Sequence, residues 1–245
     1  MTIASLAMYP FTQLRSAQEN LWDDIRSRLS FEAPPLNWEL EPDAASRRDD
    51  LLLGQTCGWP LVKDLATSVR VVGTFDCDVD DAVEGTYRSV LVSNVDDPLK
   101  DILHRPDLRV AANSRDSLSG WISLMSVASA EGVKLDDVEW TGAHAVSIEA
   151  VRDGRCQLAA IDAVSLAHIG SRGLSVVGHG PRIPCLPLVS SRSTTDAAFS
   201  ELRDVLAASV SDPAMAQTYA TLKIRGFLER ELADYAGVAD LVELW

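Results

Sequence analysis

The stretch Val138–Asp162, VEWTGAHAVSIEAVRDGRCQLAAID, reads as a strand, a sharp turn, a helix and a second strand. Ala143, Val146 and Ala150 recur at helical spacing with Ser147 between them, and Gly154 stands where a helix C′ residue belongs. The turn runs through Thr141 and Gly142, and the helix opens at Ala143 and His144. His144 is thereby expected in the first helical turn, where unpaired N–H groups and the positive end of the helix dipole favour an anion. Its ordinary alternative is a surface or capping histidine. Asp162 falls at the exit of the second strand, a position that most often caps the next helix.

Working outward, the same alternation of strand and helix recurs on both sides. Towards the N-terminus, Ile3 to Met8 reads as a strand. A long amphipathic helix follows, marked by Leu14, Ala17, Leu21, Ile25 and Leu29, with Thr12 as its N-cap. Leu36 to Leu40 reads as a strand, Asp43 to Arg48 as a short helix, and LLLG and VRVVG as further strands. TYRSVLVSN gives a long alternating strand, Leu99 to His104 a short helix, LRVAA a strand, and Trp121, Leu124 and Ala128 a helix face. Beyond Asp162 come a helix, the strand LSVVG and the extended piece CLPLVS, whose Pro187 suits an edge or a crossover. After Ser193 the pattern is helical, with Phe199, Leu202 and Leu206 in one stripe and two shorter helices running to Trp245.

This order predicts an α/β protein of two lobes, each a mixed, mostly parallel sheet flanked by helices. LVSN and CLPLVS are the expected crossings. They divide the chain into a discontinuous first lobe, 1–92 with 187–245, and an inserted second lobe, 93–186.

Composition narrows the function. The 245 residues suffice for one large or two smaller domains, and the net charge of −14 argues against nucleic acid and anionic membrane as partners. The four cysteines, Cys57, Cys77, Cys156 and Cys185, are scattered without a C-x-x-C pair. The acidic run DCDVDDAVEG lacks the glycine and closing glutamate of a calcium loop at the required positions. Neither a metal nor a cofactor is expected. No stretch approaches the ~20 apolar residues of a membrane span. The start MTIASLAMYPF has no basic segment and reads as a strand rather than an export signal, which makes the chain cytoplasmic if Met1 is its native start.

Three strand-to-helix turns carry small or polar residues suited to a tetrahedral oxyanion: Gln55, Thr56 and Cys57; Ser117, Leu118, Ser119 and Gly120; and Gly142, Ala143 and His144. The ordinary reading of Ser117 and Ser119 is N-capping, and that of Tyr87 a packed strand aromatic. Cys57, beside a helix start in QTCGW, reads either as an activated thiol or as an inert buried one.

DSLSGW after a strand, TGAHAVSIEAVRDGRCQLAAID, and GTYRSVLVSN before both resemble the phosphonate-binding, PhnD-like family of ABC-transporter substrate-binding proteins. The resemblance spans nearly the whole chain. It implies the type 2 periplasmic-binding fold, with a ligand held between two lobes that close on it, and a periplasmic location. It implies that Ser117, Ser119 and His144 hold a phosphonate- or phosphate-like head, with Leu118 and Gly120 in the same loop. Tyr87 and Asp162 would line the opposite side or meet the ligand's tail, and Tyr9, Gln55 and Trp59 would come from the first lobe. Leu118 departs from the family's run of hydroxyls. It gives a backbone N–H but no hydroxyl, so the head group need not be a phosphonate. The expected protein is a monomeric solute-binding protein, its partners a small anionic solute and an ABC permease. The alternatives are a ligand sensor or a cytoplasmic enzyme on the same fold, resembling thiamine-pyrimidine or menaquinone-pathway synthases and using Cys57.

Overall fold

Ile3–Ser5 forms β1, three residues shorter than the strand read from the sequence. Gln18 is the reason: its Nε2 donates to the carbonyls of Leu6 and Tyr9, which draws that backbone onto the following helix. The helix is α1, Arg15–Arg28, entered through a tight turn at Thr12–Leu14. Thr12 lies inside that turn and caps nothing; Phe11 precedes the turn with no side-chain cap. The strand expected over 36–40 reduces to one bridge between Leu36 and Ala4. Asn37 ends it, its Oδ1 accepting from the N–H groups of Glu39 and Leu40 in a local turn.

The computed structural model describes residues 2–242. The chain continues with α2 (Pro42–Ser46), β2 (Leu51–Gln55), the single turn α3 (Gly58–Pro60) widening over Leu61–Leu65, and β3 (Val69–Cys77). Then come β4 (Thr86–Ser93), α4 (Leu99–Leu103), β5 (Val110–Ala112), a wide turn over Leu118–Ile122, and α5 (Ser123–Ala130). These lead to β6 (Val138–Trp140), α6 (His144–Arg152), β7 (Leu158–Ile161), α7 (Ala163–Ile169) and β8 (Ser175–Pro184). The last elements are β9 (Pro187–Ser191), α8 (Asp196–Val210), α9 (Ala216–Thr221), β10 (Ile224–Leu228) and α10 (Val238–Val242). Residues 243–245, over which the sequence reading extends the final helix, lie outside the described residues.

Two units result: Met1–Asp78 with Pro184–Ala236, and Val79–Ile183 with the segment from Gly237. The first division falls before β4 rather than after it, because β4 pairs with β7 along Val90–Ser93. The first unit's sheet has the order β1-β2-β9-β3-β10 and the second unit's the order β6-β5-β7-β4-β8. Both sheets are mixed, but the parallel share is smaller than the sequence suggests. In the first, β1–β2 is parallel while β2–β9, β9–β3 and β3–β10 are antiparallel. In the second, β5 runs parallel to both β6 and β7, and β7 antiparallel to β4.

Two further elements depart from expectation. Pro187 stands in β9, which lies in the middle of its sheet rather than at an edge. As the first residue of the strand it needs no ladder N–H, and its carbonyl still accepts from Thr56 N–H at 3.2 Å. β10 interrupts the helical tail, pairing along Thr74–Cys77 of β3.

The first unit's core joins Leu21, Trp22 and Ile25 of α1 to Leu53, Val72, Phe75 and Leu188 of the sheet and to Phe199, Leu202 and Leu206 of α8. The second unit's core packs Ile148, Ala150 and Val151 of α6 on Val92, Ala111, Ala159 and Ile161. Val146, expected on the inner face of α6, is instead 43% exposed, because the buried stripe is set by Ser147, Ile148, Ala150 and Val151.

Candidate functional site

β5 and β6 run in register, Val110 opposite Val138 and Ala112 opposite Trp140. The pairing continues past both strand ends. Thr141 N–H donates to the Ala112 carbonyl at 2.9 Å and Gly142 N–H to that of Asn113 at 3.0 Å. The two following loops therefore leave the sheet side by side. Gly142 takes φ +81°, a conformation side chains disfavour, and so turns the chain into α6. Thr141 Oγ1 lies 2.6 Å from Ser147 Oγ and 3.1 Å from the Ala143 carbonyl, which accepts Ser147 N–H at 3.0 Å. His144 is thus the first residue of α6.

The loop after β5 ends in a turn wider than an α-helical one, closed by Ile122 N–H on the Ser117 carbonyl at 3.0 Å. Ser117 Oγ accepts from Gly120 N–H at 3.0 Å, so the capping role is real; its own hydroxyl proton remains a donor. Ser119 Oγ lies 3.2 Å from His144 Nε2, and Asn113 Nδ2 lies 3.5 Å from the same nitrogen. A Cβ at Gly120 would collide with Asn113 Oδ1, so a side chain there would displace the Asn113 amide. Leu118 turns inward, 2% exposed, and its carbonyl accepts from Ser123 Oγ at 2.7 Å.

His144 as a residue is partly exposed, yet its Nδ1 is enclosed. Burial pulls the imidazole below its ordinary pKa, with the Asp162 carboxylate acting in the opposite sense, and burial prevails. The ring is accordingly neutral at pH 7.

Asp162 is 3% exposed and Tyr87 1% exposed. Tyr87 Oη donates to Asp162 Oδ2 at 2.5 Å, and Ser165 N–H to Oδ1 at 2.8 Å. Asp162 is therefore the N-cap of α7 and the partner of a buried phenol. Tyr87→Phe removes a donor from a buried carboxylate and is expected to cost about 1–3 kcal/mol. Thermal unfolding of the purified variant, with a midpoint lower by several degrees, checks it. An unchanged midpoint would show that the phenol contributes nothing.

The expected residues of the second unit thus form two groups, Ser117, Ser119, Gly120 and His144 in one and Tyr87 with Asp162 in the other. Tyr9, Gln55, Cys57 and Trp59 belong to the first unit. There Gln55 closes β2, buried; Cys57 stands just before α3, half-buried; Trp59 lies in α3; and Tyr9 lies in the loop held by Gln18. Among the described residues all four cysteines are free thiols, and no group of three or more His, Cys, Asp or Glu could hold a metal ion. Asn113 was not singled out by sequence reasoning; in NSRDSLSG it passes for an ordinary turn residue.

A family model described as ABC transporter, phosphonate, periplasmic substrate-binding protein matches residues 58–235. Among solved structures, a binding-protein component of an ABC phosphonate transporter from Pseudomonas aeruginosa is 17% identical at a TM-score of 0.78, over 99% of this chain and 85% of that one. PhnD1 from Prochlorococcus marinus, in complex with methylphosphonate, is 17% identical at a TM-score of 0.78, over 99% and 97%. A Xanthomonas citri protein bound to ATP is 12% identical at a TM-score of 0.70, over 99% and 98%. No curated protein matches.

Proposed function

This chain belongs to the phosphonate-binding family of periplasmic substrate-binding proteins of ABC transporters, and from that premise we propose that it captures a small oxyanion, a phosphonate, phosphate or similar solute, with Ser117, Ser119, Gly120 and His144. Membership implies a small solute and a transporter partner; the family is one of substrate-binding proteins rather than enzymes. Its members are periplasmic, and among the described residues no helix is long and apolar enough to cross a membrane.

The observation that carries the reading is the approach of Ser119 Oγ to within 3.2 Å of His144 Nε2. It brings together two loops that offer serine hydroxyls and, where α6 begins, backbone N–H groups. Neutral donors at a helix start suit an oxyanion, whose charge is met by oriented N–H and O–H dipoles.

Isothermal titration with methylphosphonate, 2-aminoethylphosphonate, phosphite, phosphate, sulfate and ATP tests the proposal. Saturable binding of at least one phosphorus oxyanion at micromolar or tighter affinity is expected. No heat from any of them would refute the proposed ligand class.

A further inference from the structure

Asn113 directly follows β5, and its amide fills the space between the wide turn and the start of α6. Its Nδ2 faces His144 Nε2 at 3.5 Å. Its Oδ1 is enclosed without a hydrogen-bond partner, packed where a side chain at Gly120 would stand. His144 Nδ1 is enclosed without a partner as well. We infer that Asn113 is a positioning residue of the oxyanion site, joining the turn at Gly120 to the His144 ring and determining which ring nitrogen carries the proton. The role in binding rests on the reading that Ser119 and His144 hold the solute; the role in orienting the ring does not.

The NH₂ end of an amide only donates, so the Nε2 that faces it presents a lone pair and the proton of the neutral ring sits on Nδ1. Ser119 supplies the second group at Nε2, and its hydroxyl has a single proton to give. When a solute oxygen takes that proton, Asn113 is the group that still holds the ring. Protonating Nε2 would point N–H at N–H, which adds to burial in keeping the ring neutral. The charged group acting on the ring is Asp162, itself engaged by Tyr87 and Ser165.

The test is nitrogen-15 NMR of the ligand-free, full-length protein labelled at histidine, with the His144 signals assigned by their loss in His144→Gln. The expected result is the Nδ1–H tautomer in the parent. In the near-isosteric Asn113→Asp, a carboxylate replaces the amide; the proton is expected to move to Nε2 and the ring's pKa to rise by about 1 unit or more. An Nε2–H tautomer in the parent overturns the inference, and so does a folded Asn113→Asp whose His144 tautomer and titration match the parent's. Should Asn113→Asp not fold, the parent's tautomer decides alone. Methylphosphonate titration of the same proteins separates the two readings, with at least tenfold weaker binding expected for Asn113→Asp. A parent with the expected tautomer that binds no oxyanion removes the solute-binding reading and leaves the orienting role in place.

Discussion

His144→Ala is expected to weaken the binding of methylphosphonate by roughly 10- to 100-fold, the equivalent of about 1–3 kcal/mol for truncating one partner in an enclosed hydrogen-bonded site. The substitution removes a ring that meets Ser119 and Asn113 at one nitrogen, so both lose a partner together. Burial disfavours the charged ring, so the parent has no imidazolium attraction to lose at neutral pH, and the effect is one of hydrogen bonding and shape. Calorimetric titration of both proteins at pH 7.5 measures it. The thermal midpoint of the unliganded variant should stay near the parent's, since His144 is partly exposed and lies outside the buried core. Equal affinity in the two proteins would take His144 out of the site.

The largest expected loss of stability lies in the first unit, at Trp22. Its side chain is 1% exposed and packs in the cluster joining α1, the sheet and α8, while its indole N–H donates to the Pro34 carbonyl at 2.7 Å. Trp22→Ala removes a large buried surface and leaves that carbonyl without its donor. The cost should be about 3–5 kcal/mol, or roughly 6–20 °C in thermal midpoint for a chain of this size. Trp22→Phe keeps part of the packing but loses the N–H and one ring of the indole, so it should fall by a smaller amount, about 1–3 kcal/mol. Differential scanning calorimetry of the three proteins separates these terms, and a midpoint for Trp22→Ala within 2 °C of the parent's would contradict the packing argument.

What could be read from the residues alone depended on how local its cause was. The start of α6, its end at Gly154 and the cap at Asp162 follow from neighbours a few positions apart. Gly154 takes φ +75°, and Asp162 Oδ1 accepts from Ser165 N–H. The inner face of the same helix was misjudged by one step, since Ala143 and Val146 supply apolar spacing yet stand in solvent. β10 escaped notice because IRGFL is short and its partner, β3, lies some 150 positions earlier, so nothing near it in the chain marks it as extended. The central place of Pro187 was hidden for a similar reason: only the tertiary arrangement decides which strand is flanked on both sides. Ser117, Ser119 and His144 were visible as residue types at turns. Asn113 was not, because its importance arises from the missing side chain at Gly120 and from a ring contributed by another loop.

The place of β9 between β2 and β3 has a consequence for how the protein comes off the ribosome. The strands of the second unit are consecutive in the chain, β4 to β8, so that sheet can be completed as soon as residue 184 has emerged. The N-terminal strands, though made earlier, must wait with a gap at their middle until Pro187–Ser191 arrives. Nascent chains halted shortly before that point would hold a later-made sheet already complete while the earlier-made one is still open to proteases and chaperones, an inversion of synthetic order that long-range strand pairing imposes.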